Sequence, residues 1–200
     1  VADVTLTGDV TYDESSGNTT YGSEVINEGN YEGTGGLIGM PYGALENLKV
    51  SGLHVKGYTY VGGVSGRINE NTNQNIQVGD ENLTTADGAK VPFGVFVEGR
   101  TYISGVASRG TSGGYSTTVN YFKNVKVQNV RISASNDGAY GIGAVCQVED
   151  SEVSGCDIYA ATSHAAGVVR DWNTVYRTTV KDTKISSGNN VGGIGTYGLS

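Results

Sequence analysis

Residues 46–66 read Glu46-Asn47-Leu48-Lys49-Val50-Ser51-Gly52-Leu53-His54-Val55-Lys56-Gly57-Tyr58-Thr59-Tyr60-Val61-Gly62-Gly63-Val64-Ser65-Gly66, and this stretch decides the fold. Its first half is a pair of short strands with the pattern apolar-x-apolar-x-x-apolar-x-apolar, carried by Leu48, Val50, Leu53 and Val55. Strand side chains alternate between faces, so these four point to a core while Lys49 and His54 point to solvent. Its second half is a glycine-centred strand, Val61-Gly62-Gly63-Val64.

Both units recur along the chain. The strand pair returns as Val125-Val127-Val130-Ile132, and in weaker form as Val153-Cys156-Ile158 and Val180-Thr183-Ile185; Val4-Leu6 and Ile76-Val78 begin two more copies. The glycine strand returns at Gly35-Gly36-Leu37, Ser104-Gly105-Val106, Ile142-Gly143-Ala144, Ala166-Gly167-Val168 and Gly192-Gly193-Ile194. Aligning Gly36, Gly63, Gly105, Gly143, Gly167 and Gly193 gives, by subtraction, spacings of 27, 42, 38, 24 and 26 residues. A repeat of this length in which each unit buries only one side of its strands must stack on its neighbours. The expected fold is therefore all-β, a right-handed parallel β-helix (a β-solenoid) of about six coils of about 25 residues. The glycine column marks a tight turn or a close backbone approach.

The longer spacings place loop insertions in the middle coils, at residues 79–101 and 108–121, where Gly79-Asp80-Glu81-Asn82 and Gly110-Thr111-Ser112-Gly113-Gly114 are turn-forming. Val95-Phe96-Val97 inside the first reads as a further strand. Residues 1–200 thus form a single solenoid domain with its insertions within 79–121. The chain starts inside a strand-like pattern at Val4-Thr5-Leu6 and stops on a glycine strand, so both ends are expected to be cuts or processing sites in a larger protein.

Composition agrees with this class. Glycine supplies 32 residues and proline 2, and 37% of the chain is hydrophobic, enough to fill a core. The net charge of −7, with Lys and Arg scattered singly, offers no footprint for nucleic acid. Apolar runs such as Gly35 to Met40 are too short to span a bilayer, so no membrane insertion is expected in this segment. Cys156 falls at a core position, which favours a buried free thiol; a disulfide with Cys146 is the alternative.

With the repeat in hand, Gly35-Gly36-Leu37-Ile38-Gly39, Glu46-Asn47-Leu48-Lys49-Val50-Ser51-Gly52 and Val61-Gly62-Gly63-Val64-Ser65-Gly66 resemble the GLUG-type repeat of large bacterial surface proteins, including the non-catalytic repeat regions of IgA-peptidase-like proteins. The resemblance covers residues 33–66, recurs in degraded form over 122–195 and fails across the insertions. It implies an extracellular module on a bacterial cell surface and carries over no catalytic residues.

Candidate site residues form columns. Asp3, Asn47, Asn75, Asn124 and Asp150 stand at equivalent positions before the first strand, a pattern suited to a hydrogen-bonded corner ladder. Tyr60, Tyr102, Tyr140 and His164 each stand three residues before a repeat glycine. With Val61 and Ile103 facing inward, alternation points this aromatic column outward, as a strip for stacking on sugar rings or gripping an extended partner. The alternative is that the rings brace the sheet. The strongest catalytic grouping is His164 with Arg170, Asp171, Trp172 and Arg177, which also suits a loop held by an ion pair and a packed indole. Asp80, Glu81 and Asp87 lack the alternation of calcium-binding repeats. No metal, cofactor or catalytic site is expected.

The functional expectation is a non-enzymatic adhesive module that presents its loops and tyrosine face to a host glycan or surface protein. A β-helix polysaccharide lyase or hydrolase is the second reading. Self-assembly is the third, since coils without caps can stack end to end rather than remain monomeric.

Overall fold

The computed structural model describes residues 1–30, 32–68, 71–110, 120–170 and 174–197, and among them every regular element is a strand. Two parallel sheets dominate. The first runs Ala2–Thr7, Glu46–Ser51, Thr72–Gly79, Asn120–Gln128, then Cys146–Glu149 with Glu152–Ser154, then Val175–Tyr176 with Thr179–Lys181. The second runs Ser23–Ile26, Leu53–Lys56, Val95–Ser104, Val130–Tyr140, Asp157–Ala160 and Lys184–Ser187, extended by Glu32–Gly35, Thr59–Gly62, Ser163–Ala166 and Val191–Gly192. In both, strand order follows chain order, so each pass of the chain lies beside the one before it.

Register puts like residues on like. One inward column is Leu6, Val50, Val78, Val127, Val153 and Val180. Another is Val25, Val55, Val97, Ile132, Ile158 and Ile185. The inner members of both columns are fully buried, while Leu6, Val25, Val180 and Ile185 at the two ends are only partly covered. Burying one such valine or isoleucine contributes about 1.5–3 kcal/mol, which makes these columns the main cohesive element of the chain.

The glycine column is a close-approach column. A Cβ built on Gly36 would collide with the carbonyl oxygen of Gly63, and the same collision links Gly63 to Gly105, Gly105 to Gly141, Gly141 to Gly167 and Gly167 to Gly193. The aligned residue in the fourth copy is therefore Gly141 and not Gly143. The strand there reads Gly141-Ile142-Gly143, and the pairing Ser104↔Tyr140 selects the first of its two glycines.

At the corners the backbone turns into the left-handed region. Asp3, Asn47, Asn75, Asn124, Asp150 and Arg177 all have φ between 44° and 57°. Asn and Asp tolerate this conformation better than most residues. Asn47 Nδ2 donates to Asp3 Oδ1, Asn75 Nδ2 to Asn47 Oδ1 and Asn124 Nδ2 to Asn75 Oδ1, each at 2.8 Å. A ladder that donates in one direction begins naturally on an acceptor-only carboxylate, which Asp3 supplies. Asp150 starts a second segment in the same way, accepting from Arg177 Nε at 2.5 Å.

The insertions differ from the expected boundaries. Val95-Phe96-Val97 belongs to a strand of the second sheet, paired with Leu53–Lys56 on one side and Val130 onward on the other. The first insertion is thus confined to residues 80–93. The second falls largely on 111–119, outside the described residues. A further excursion, absent from the sequence reading, is the antiparallel hairpin of Val10–Asp13 and Asn18–Tyr21, where Asp13 accepts from Ser15 and Ser16 to close the turn.

Cys146 and Cys156 are both free and buried. Burial pushes the Cys156 thiol up to about 12 and raises that of Cys146 as well, so both behave as small core residues.

Gly105→Ala is expected to lower stability by about 3 kcal/mol or more, because the intruding atom meets backbone that cannot rotate away. Gly43→Ala, with open space around its Cβ position, should stay within about 0.5 kcal/mol of the parent. Urea denaturation of the two variants checks both.

Candidate functional site

Three groups of side chains hold chemistry, and each is placed by a column. The first is a corner of the second sheet. Thr59↔Thr101 and Val61↔Ile103 pair around Tyr60 and Tyr102, and Asp137↔Ser163 and Ala139↔Ala165 pair around Gly138 and His164. The column is therefore Tyr60, Tyr102, Gly138, His164, with Asn190 following, and all five have positive φ.

Tyr140 is not a member of this column. It lies two residues further on, is 0% exposed and packs with Ala144, Ala166, Tyr102 and Val145. A side chain at Gly138 would run into the Tyr140 ring and hydroxyl, so the ring occupies the room that the missing side chain leaves.

Nor do the other tyrosines form an open platform. Tyr60 and Tyr102 lie outside the main apolar core that Val61 and Ile103 enter, yet Tyr60 is only 8% exposed. Its ring stacks on Tyr102 at 5.4 Å and 7°. The Arg67 guanidinium lies 4.6 Å from the Tyr60 centroid and that of Arg170 5.3 Å from the Tyr102 centroid, with Arg170 Nη1 donating to Tyr102 Oη at 2.9 Å. Rings covered by each other and by cations brace the corner.

His164 terminates this brace in a polar chain. Its Nδ1 lies 2.7 Å from Asp137 Oδ1 and its Nε2 2.5 Å from the Tyr197 hydroxyl. Asn190 Nδ2 also points at Nε2, at 3.3 Å, and Ser163 Oγ donates to Asp137. With an amide donor facing Nε2, the tautomer that satisfies the group carries its proton on Nδ1, toward the carboxylate. The chemistry this permits is proton acceptance from the Tyr197 phenol. Arg177 is not part of this group: it pairs with Glu149 and Asp150 at the other corner. Asp171 and Trp172 lie outside the described residues.

The third group is the outer face of the second sheet. Glu24, His54, Phe96, Arg131, Asp157 and Lys184 stand in one in-register column, and Lys56, Glu98, Ser133, Tyr159 and Ser186 in the next. His54 faces away from the core as alternation requires, but neighbours cover it. Its two nitrogens lie 3.2 Å from Glu24 and from Glu98, and its ring stacks on Phe96 at 5.0 Å. Further along, Phe96, Arg131, Ser133, Asp157, Tyr159, Lys184 and Ser186 line an open depression of about 320 Å³. Tyr159 is 46% exposed beside it. The sequence carried a signal for this face: the residues between the apolar pairs, Arg131 and Ser133, Asp157 and Tyr159, Lys184 and Ser186, are its lining.

The acidic loop residues have local partners. Asp80 pairs with Lys49 at 3.0 Å and accepts from the Asn82 amide, and Asp87 accepts from Thr85. Among the described residues no group of three or more His, Cys, Asp or Glu side chains is arranged to hold a metal ion, and no helix is long and apolar enough to cross a membrane. Comparison of the chain with family models, with curated proteins and with solved structures finds no match.

Two outcomes are expected. Tyr102→Ala should destabilise the chain by about 2–3 kcal/mol and Tyr102→Phe by about 1 kcal/mol, the latter through loss of the Arg170 hydrogen bond, as read by urea denaturation. At the other corner, the hydrogen bond from Arg177, aided by its charge and that of Lys123, holds the Asp150 carboxyl below its ordinary value. A lowered folded pKa contributes stability that is whole above the unfolded value of about 3.9 and fades as pH falls below it. Arg177→Ala should flatten that acid decline in a denaturation series from pH 6 to about pH 2.5.

Proposed function

We propose that the chain is a coil stack of the right-handed parallel β-solenoid type, with coils of about 25 residues, serving as a non-catalytic extracellular binding module on a bacterial surface. Strand order that follows chain order, apolar columns in register and the GLUG-like glycine strands support this reading.

The ligand surface in this proposal is the outer face of the second sheet. The observation that carries it is the open depression beside the exposed Tyr159 ring, lined by Arg131, Ser133, Asp157, Lys184 and Ser186. A half-exposed aromatic ring next to hydroxyl, carboxylate and cationic groups is the combination that recognises a sugar: the ring covers its C–H face and the polar groups bond its hydroxyls. In this proposal the corner rings Tyr60 and Tyr102 stiffen the shaft rather than touch the ligand.

One observation favours the polysaccharide-lyase reading, the Asp137–His164–Tyr197 chain, which could serve as a base. None of its three residues lines the depression, and the non-catalytic reading is preferred.

A glycan array followed by calorimetry on the best ligand tests the proposal. Tyr159→Ala should weaken binding at least about ten-fold, roughly 1.4 kcal/mol, with the fold intact by circular dichroism. Unchanged affinity would remove the depression as the site. Unsaturated or newly reducing products from acidic polysaccharides, lost in His164→Ala, would instead favour the enzyme.

A further inference from the structure

The depression on the outer face of the second sheet has a charge balance opposite to that of the whole chain. Arg131 and Lys184 line it against one carboxylate, Asp157, in a protein of net charge −7. Arg131 is in register with Asp157 and Asp157 with Lys184, so the acid has a cation on each neighbouring strand. The strands that carry Phe96, Arg131 and Asp157 are each paired on both sides, so this part of the face is framed by the chain itself.

Arg131 is held in place. Its guanidinium lies 4.7 Å from the Phe93 ring centroid and 6.0 Å from that of Phe96. Phe96 stands in register with it on the adjoining strand. Phe93 ends the 80–93 insertion, and its carbonyl accepts from the hydroxyl of Tyr21, the last residue of the hairpin, at 2.9 Å. Both excursions of the chain therefore converge on the ring that covers this cation. A guanidinium already held against rings loses less freedom on taking a ligand than a loose one does.

Its donors are largely unspent. Asp157 Oδ2 lies 3.7 Å from Nε, an ion pair but longer than a hydrogen bond. The carboxylate sits on the Nε edge and is the more covered of the two side chains, which leaves the terminal nitrogens of a half-exposed guanidinium for an incoming group. A planar fork of N–H donors matches an anion with two or more oxygens better than it matches a hydroxyl. Tyr159 lies two residues from Asp157 on the same strand, and so about 8 Å from Arg131 on the diagonal of the sheet. A sugar resting on the ring reaches the fork with an exocyclic acid group.

Building on the glycan-binding reading of this face, we infer that the depression selects acidic glycans. Arg131 bonds the carboxylate or sulfate of a sugar whose C–H face lies on Tyr159, and Lys184 adds a second cation.

A glycan array that pairs uronate-, sialate- and sulfate-bearing glycans with their neutral parents tests this, followed by calorimetry with the strongest binder and its carboxyl-reduced or desulfated form. The acidic member of each bound pair should bind at least about ten-fold more tightly, with an advantage that shrinks between about 0.05 M and 0.5 M salt. Whether carboxylates or sulfates lead the array identifies the anionic group. Arg131→Gln should abolish the preference while neutral sugars bind as before, and Arg131→Lys, which keeps the charge without the fork, should retain only a small part of it. Both Arg131 and Tyr159 are exposed, and circular dichroism checks that the variants fold. Neutral parents that bind as tightly as their acidic partners, with Tyr159→Ala still weakening both, overturn the acidic selection and leave the glycan reading standing. A preference for acids that survives Arg131→Gln overturns the role of Arg131. No binding to any glycan, acidic or neutral, overturns the glycan reading and the acidic selection together.

Discussion

The distance between one backbone pass and the next is the constraint on which the rest of this structure depends. At Gly36, Gly63, Gly105, Gly141 and Gly167 the following carbonyl lies where a Cβ would be, so the passes approach as closely as backbone can. That approach brings Val61, Ile103, Ala139 and Ala165 into contact as a column, and it brings the valines and isoleucines of both sheets into register. A bulkier residue at any of these glycines would push two passes apart and loosen several columns at once. The cohesion of the chain is therefore shared between apolar burial and an unusual number of backbone contacts that tolerate no side chain.

The corners answer a second requirement. Each pass must turn sharply, and several turns demand left-handed residues. Asn and Asp meet the demand at one corner and use their side chains to bond the pass below, which converts a conformational cost into a ladder. At the corner of Tyr60 and Tyr102 large residues carry the same strain, and stacking with one another and with Arg67 and Arg170 offsets it. Gly138 carries no side chain at that column, and Tyr140 fills the space from a neighbouring position. While these rings are covered, the outer face of the second sheet leaves Tyr159, Arg131 and Lys184 accessible around its depression.

Much of the fold was readable from Leu48-Val50-Leu53-Val55 and its copies, because an inward apolar column must be written in the sequence wherever a strand is buried on one face. The Asn corner was readable for the same reason, since few residues adopt the left-handed turn and also bond along a column. The aromatic column was misread at Tyr140 because Gly141 and Gly143 are equivalent in sequence, and only the pairing of Ser104 with Tyr140 distinguishes them. Tyr60 and Tyr102 are covered rather than open because the register stacks their rings on one another and brings Arg67 and Arg170 over them, and no single pass of the sequence shows that. The polar chain of Asp137, His164 and Tyr197 joins residues from three passes, and no local pattern announces it.

By itself the sequence determined that the chain is built of strands and where its inward columns lie, since hydrophobic alternation is a local property. The tertiary structure alone decided which rings are covered, which polar groups meet and which outer positions share a depression. Those depend on register between passes 26 to 49 residues apart, as from Ile132 to Ile158 and from Asn75 to Asn124, and register is settled by packing across strands rather than along them.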